Sequence, residues 1–245
     1  MEIIADTHTH TIASTHAYAT ATEMIAEAAK VGLYAIALTD HGPKMPGSPG
    51  PWYFDNLSAI PDNYMGVRVL KGAEANLCDF DGNIDMPEST IKRLDWIVAS
   101  IHDITLDKSK KSVSVDSITE LYMNAAKNPL IHVIGHPDTV GFRFDYEKAL
   151  PELAGCGKLI EINDSTFRYK KNSMANCIEI ANICKRRNIQ VILNTDAHFS
   201  AAVGKFDETL RALKEIDFPE ELIVNSSVER FEQCLRERNI SLRDN

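Results

Sequence analysis

Residues 2–20 read EIIADTHTHTIASTHAYAT. A short β-type run comes first, then Asp6, His8 and His10 at alternate positions, with His16 a little further on. Side chains two apart in a strand share a face, so Asp6, His8 and His10 are expected on one face. The device recurs near the other end of the chain. There QVILNTDAH (190–198) sets Asn194, Asp196 and His198 at alternate positions. Between the two lie YAIALTDHG (34–42), VRVLKGAEANL (67–77), LDWIVASIH (94–102), LIHVIGHP (130–137) and KLIEINDS (158–165). Each is a short apolar run that ends in polar, metal-binding residue types.

Amphipathic stretches separate most of these runs. Residues 20–32 have Thr20 and Glu23 at capping-box spacing and Gly32 as a stop. Residues 117–128 repeat the spacing with Ser117 and Glu120, and 226–238 with Ser226 and Glu229. Further helices are expected over 173–188 and 206–216. Continuous apolar strands alternating with helices indicate βαβ units and a parallel sheet. Seven strands, with LIVNSS (222–227) as a candidate eighth, favour a distorted (β/α)7 TIM-like barrel forming a single domain over 1–245. No glycine-rich phosphate loop follows the first strand, which removes the main support for a nucleotide-binding Rossmann fold. Residues 43–61 hold five of the ten prolines and are expected to form an irregular loop, either a pocket wall or a surface excursion.

In a parallel barrel the C-terminal strand ends converge on one mouth, where active sites sit. Seven of the eight histidines lie at or just past such ends: His8, His10, His16, His41, His102, His136 and His198. Glu74 and Asp196 join them. His132 lies four residues before His136, deeper in the barrel, and is read as structural. Taken singly, most strand-end histidines are satisfied core residues. Seven gathered at one end are a metal-site pattern. Nine candidate ligands exceed what one tetrahedral Zn²⁺ takes, which points to two or three ions, with Glu74 as the natural bridge. Imidazole-rich ligation suits Zn²⁺, with Mn²⁺ or Fe²⁺ as alternatives.

The segments DTHTH, STHAYAT, TDHG, GAEAN, ASIH, GHP and NTDAH, in this order, resemble the polymerase and histidinol phosphatase (PHP) superfamily. With LTDHGP, DGNID and EIN they are similar to its YcdX-like group of small bacterial phosphatases. The resemblance covers essentially the whole chain. It implies a seven-stranded barrel with a trinuclear zinc-type centre. One metal would take His8, His10, Glu74 and Asp196; a second Glu74, His102 and His136; a third His16, His41 and His198. It also implies metal-dependent hydrolysis of small phosphomonoesters, with catalysis centred on Glu74 and Asp196. Asp40 is a candidate for orienting a ligand or relaying a proton, with loop capping as the alternative. Asn163 faces the mouth by parity and is a candidate substrate contact. Arg168, with Lys170 and Lys171 beside it, could meet a second anionic group.

Other readings remain: a histidinol-phosphate phosphatase, an exonuclease on nucleic-acid ends, or a metal-binding module without turnover. A net charge of −9, from 26 basic and 35 acidic residues, disfavours nucleic acid as a partner. Five cysteines with no C-x-x-C pair suit a reducing cytoplasm. No apolar run has the length of a membrane span. The aromatics of PWYF (51–54) could meet substrate or a second subunit in a homo-oligomer.

Overall fold

The computed structural model describes residues 1–240; residues 241–245, the last part of the expected domain, lie outside the described residues. The elements run β1 (Ala5–Thr9), α1 (Ala21–Lys30), β2 (Ala35–Leu38), α2 (Pro51–Asp55), β3 (Asn63–Tyr64), β4 (Val67–Asn76), α3 (Glu88–Ile91) and β5 (Trp96–Ser100). Then follow α4 (Val115–Ala126), β6 (Val133–Ile134), α5 (Tyr146–Gly155), β7 (Leu159–Asn163), α6 (Asp164–Arg168), α7 (Met174–Arg187), β8 (Val191–Asn194), α8 (Asp207–Glu215) and α9 (Val228–Glu237). The sheet order is β1-β2-β4-β5-β6-β7-β8, every pair parallel, and the short β3 forms an antiparallel hairpin with β4. This is the expected distorted seven-stranded barrel. Among the described residues no helix is long and apolar enough to cross a membrane.

The barrel nearly closes between β8 and β1, and side chains make much of the seam. One bridge joins Thr9 to Ala197, and His10 N donates to Ala197 O at 2.9 Å. Asn194 Oδ1 accepts from Thr7 N at 2.8 Å. Asn225 Nδ2 donates to Ala5 O (2.8 Å) and to Leu193 O (2.6 Å), while its Oδ1 accepts from Leu193 N (3.1 Å). The candidate eighth strand at 222–227 is therefore reduced to a single bridge, Ile223 to Val191, and the Asn225 amide bonds both strands in place of a ladder.

The lower half of the barrel is apolar. Ala5, Ala35, Ala37, Leu70, Trp96, Val98, Val133, Leu159 and Ile192 form one buried cluster that Phe231 and Leu235 of α9 join. Small residues on β1 and β2 leave room for the Trp96 indole. His132 belongs to this end, as expected: its ring stacks on Trp96 at 5.5 Å and its Nδ1 accepts from Ile97 N at 2.9 Å. Burial, reinforced by Arg238 and Lys158, pushes its pKa down to about 3.

Local signals hold in part. Thr20 and Glu23 form the expected capping box, and Gly32 takes a left-handed φ of 81° just past α1. In α4 the box is Ser114 with Ser117, so the helix starts three residues earlier than Ser117–Glu120 suggests, and Glu120 pairs with Lys111 instead. In α9 the cap is Ser227, one residue on from Ser226, whose hydroxyl turns back to Ile223 O. The 43–61 segment is less irregular than its prolines imply. Pro51 sits in the first turn of α2, where its missing N–H costs nothing. The five cysteines are free, and all but Cys156 are buried.

Asn225→Ala leaves three buried backbone groups of the seam without partners. It is expected to lower stability by about 2–4 kcal/mol, seen as a lower urea midpoint at unchanged slope. His132 stays neutral in the folded chain but binds a proton in the unfolded one between pH ~3 and ~6.5. Its contribution is thus present above pH ~6.5 and lost as pH falls toward 3. His132→Gln should narrow the stability difference between pH 7 and pH 5 in urea denaturation; an unchanged difference would refute the assignment.

Candidate metal centre

The upper half of the barrel is built from the polar strand ends. Glu74 on β4 lies at its middle, 0% exposed. Its Oε1 is 3.0 Å from His136 Nε2 and 3.4 Å from both His8 Nε2 and His102 Nε2. Its Oε2 is 2.5 Å from His41 Nδ1 and 3.6 Å from His10 Nε2. Asp196 Oδ1 adds a second carboxylate, 3.2 Å from His10 Nε2 and 3.7 Å from His8 Nε2. His16 Nε2 is 3.1 Å from His41 Nε2, and the His198 ring lies 4.7 Å from that of His16. All nine expected ligand residues thus come together at the C-terminal mouth.

Backbone geometry contributes. Gly135 lets β6 approach β5: a Cβ there would stand 2.2 Å from Ser100 Oγ. His136 and Asp196 adopt left-handed φ values of 27° and 55°, conformations that persist only when the surroundings enforce them. β1 carries a register irregularity between Asp6 and Thr9, so strict alternation does not run through it. His8 and His10 still meet the centre. Asp6 instead accepts from Thr195 N (3.1 Å), Thr195 Oγ1 (2.5 Å) and Gly204 N (3.1 Å), which ties β1 to the loop that carries Asp196.

Several ligand-type atoms are buried without a partner in good hydrogen-bond geometry: His8 Nε2, both nitrogens of His10, His41 Nδ1 and Glu74 Oε2, although His41 Nδ1 and Glu74 Oε2 crowd each other at 2.5 Å. Buried polar atoms are rarely left so, and a cluster of such lone pairs around a carboxylate fits a metal. Among the described residues, three groups have ligand atoms all within 4.8 Å of one another: His10–His41–His198, His8–His10–Glu74 and His41–Glu74–His102. These groups overlap, since His10, His41 and Glu74 each belong to two. The electrostatics agree with a site for cations. Burial opposes charge on Glu74, yet His41, His102 and His8 hold its carboxyl well below the usual range. Lys170, then His8, does the same for Asp196 against burial. Burial, then His41, keeps His10 neutral, the form that binds a metal. Burial takes His102 down to about 3. Only His8 is pulled strongly the other way, by Glu161 and Glu74 against the effect of burial.

Glu161, a carboxylate at the C-terminal end of β7, holds two of the histidine positions. Its Oε1 accepts from His8 Nδ1 at 2.8 Å, which leaves Nε2 for the centre. Its Oε2 accepts from His136 N (2.7 Å) and Asn163 Nδ2 (3.1 Å). Asn76 likewise holds His102 through Nδ1 at 2.8 Å. Both share a strand face with an expected site residue, the one available signal. Asn163 is fully buried with its amide nitrogen on Glu161 and Asp196 and its oxygen on Ser165 N. Its side chain is taken up by the carboxylates and the start of α6, below the cavity lining, because parity fixes a face but not a depth. Asp40 touches no imidazole; its oxygens hold Thr11, Ser14 and Tyr53, the loop-capping alternative. Arg168 lines the cavity over the centre, but its guanidinium is paired with Asp164. Lys170 is the nearer cation, with Nζ 3.4 Å from Asp196 Oδ2. The cavity measures about 700 Å³ and has Tyr169 and Phe199 on its rim.

Glu161→Gln should weaken zinc binding about tenfold to a hundredfold, measured by competition with a chromogenic chelator, at unchanged circular dichroism. Unaltered zinc affinity would remove Glu161 from the site.

The family model for the PHP domain matches residues 6–165. A protein of Acetivibrio thermocellus named "Probable phosphatase" is 42% identical, over 99% of each chain. A similarly named protein of Caldanaerobacter subterraneus subsp. tengcongensis is 44% identical over 97% of this chain and 93% of its own. The fold is also that of histidinol phosphate phosphatase from Lactococcus lactis, solved with zinc, L-histidinol and phosphate. That structure superposes with a TM-score of 0.60 at 18% identity, covering 89% of this chain and 95% of its own. The model match spans more than half of the sequence and the relatives align end to end, so the chain belongs to the PHP domain family.

Proposed function

We propose that this protein is a metal-dependent phosphatase that hydrolyses small phosphomonoesters at a trinuclear centre. The observation that carries the reading is the wholly buried Glu74 carboxylate with five imidazoles within 3.6 Å, beneath an open cavity. The names of the full-length relatives support the reaction class. His8, His10, Glu74 and Asp196 would hold one ion, Glu74, His102 and His136 a second, and His16, His41 and His198 a third. With Zn²⁺, Mn²⁺ or Fe²⁺ bound, these residues would supply Lewis-acid activation of water and charge compensation for a phosphoryl group.

The remaining work falls to the chain itself. Glu161 and Asn76 fix the ring orientation of His8 and His102. Lys170 stays cationic, because Asp196 and Glu74 outweigh its burial. It lines the cavity beside Asp196 and is placed to hold a phosphate oxygen. Tyr169 and Phe199 give the leaving group an apolar wall. The net charge of −9 leaves little electrostatic attraction for a long polyanion.

The test is a hydrolysis screen over phosphomonoesters, histidinol phosphate and short single-stranded DNA included, before and after exhaustive chelation. Turnover of small monoesters should vanish on chelation and return with Zn²⁺ or Mn²⁺. Glu74→Gln should lower kcat by about 10²-fold or more with the fold retained. Full turnover in the stripped protein would defeat the proposal.

A further inference from the structure

Helix α2, on the excursion between β2 and β4, is tied to the histidine centre by a side-chain hydrogen bond. Tyr53, on α2, donates its hydroxyl to Asp40 Oδ2 at 2.7 Å. Asp40 is buried and accepts three more hydrogen bonds, from Thr11 N (2.8 Å), Thr11 Oγ1 (2.8 Å) and Ser14 Oγ (2.7 Å). Ser14 Oγ in turn accepts from His41 N at 3.1 Å. Thr11 and Ser14 lie in the turn between His10 and His16, where no strand ladder holds the chain. Backbone bonds from Ile12 N to Ala19 O (2.7 Å) and from Tyr18 N to His198 O (2.9 Å) close the loop, and within it the side-chain bonds to Asp40 fix the turn that sets His16 3.1 Å from His41. The far end of this chain of bonds is firm. Phe54 is buried in a cluster with Ala73 and Ala75, which flank Glu74 on β4. Burial and the neighbouring Asp40 keep the Tyr53 phenol protonated, so it remains a donor.

We propose that Tyr53 is a positioning residue for the corner formed by His16, His41 and His198. Through Asp40 it fixes the turn that brings His16 to His41, and so sets the affinity of that corner for a divalent metal ion. The proposal rests on the metal-centre reading above. A buried carboxylate that loses one of four donors is no longer fully satisfied, and the loop it organises relaxes. Losing such an outer partner typically weakens a metal site by about 10–100-fold.

Zinc titrations against a competing chelator would compare the wild type with Tyr53→Phe, Asp40→Asn, the double variant and Trp52→Ala. Trp52 is on the same helix and 86% exposed, and serves as the control. Tyr53→Phe should weaken one class of zinc site about tenfold and leave the others as they were. Its kcat for phosphomonoesters should fall at little-changed KM and recover in excess Zn²⁺, which a general structural lesion would not do. The double variant should lose no more than Asp40→Asn alone, since Tyr53 acts through Asp40. Wild-type affinity at every site, or an equal loss at all of them, would overturn the proposal. If Tyr53→Phe does not fold, Tyr53→Met carries the same expectation. Selective zinc loss in a protein without phosphatase turnover would sustain this proposal and sink the phosphatase reading. A wild type that binds no zinc would sink both.

Discussion

A carboxylate with no access to water sits at the centre of this barrel. Isolated, the Glu74 charge would cost several kcal/mol to bury. It is tolerated because imidazoles from four other elements or their loops surround it. Each parallel strand contributes only one or two of those groups, and only at its C-terminal end. The topology therefore follows from the site as much as the site from the topology. A parallel closed sheet is an arrangement that points many strand ends at one spot.

The two halves of the barrel solve opposite problems. Below, apolar side chains of graded size fill the interior, from Ala5 and Ala35 to Trp96. Above, the interior is lined by groups that water or a cation must satisfy. The lower half supplies the stability that lets the upper half hold mutually repelling histidines and two strained backbone positions. Such strain near a site is sustained only where packing elsewhere enforces it.

Much of this was legible in the sequence, because strand period and strand-end chemistry are local. The alternation of His8 and His10 announces their shared face without knowledge of the rest, and so does that of Asp196 and His198. What stayed hidden depends on partners far along the chain. Glu161 looks like any strand carboxylate until His8 is seen 153 positions away. Asp40 next to His41 suggested catalysis, yet its partners lie in the preceding turn and on α2. The β1 irregularity broke the parity that grouped Asp6 with His8 and His10. The misplaced caps at Ser117 and Ser226 are a different matter: serines cluster there, and only the backbone decides which one turns.

The seam between β8 and β1 bears on how the centre comes into being. Thr7 and Asn194, bonded across it, are 187 positions apart. His8 and His10 lie on one side of this seam, and Asp196, which meets both, lies on the other. Until β1 and β8 meet, these histidines and Asp196 stand apart. An ion held by groups on both sides would act as a latch between β1 and β8, and its capture would report that the barrel has closed.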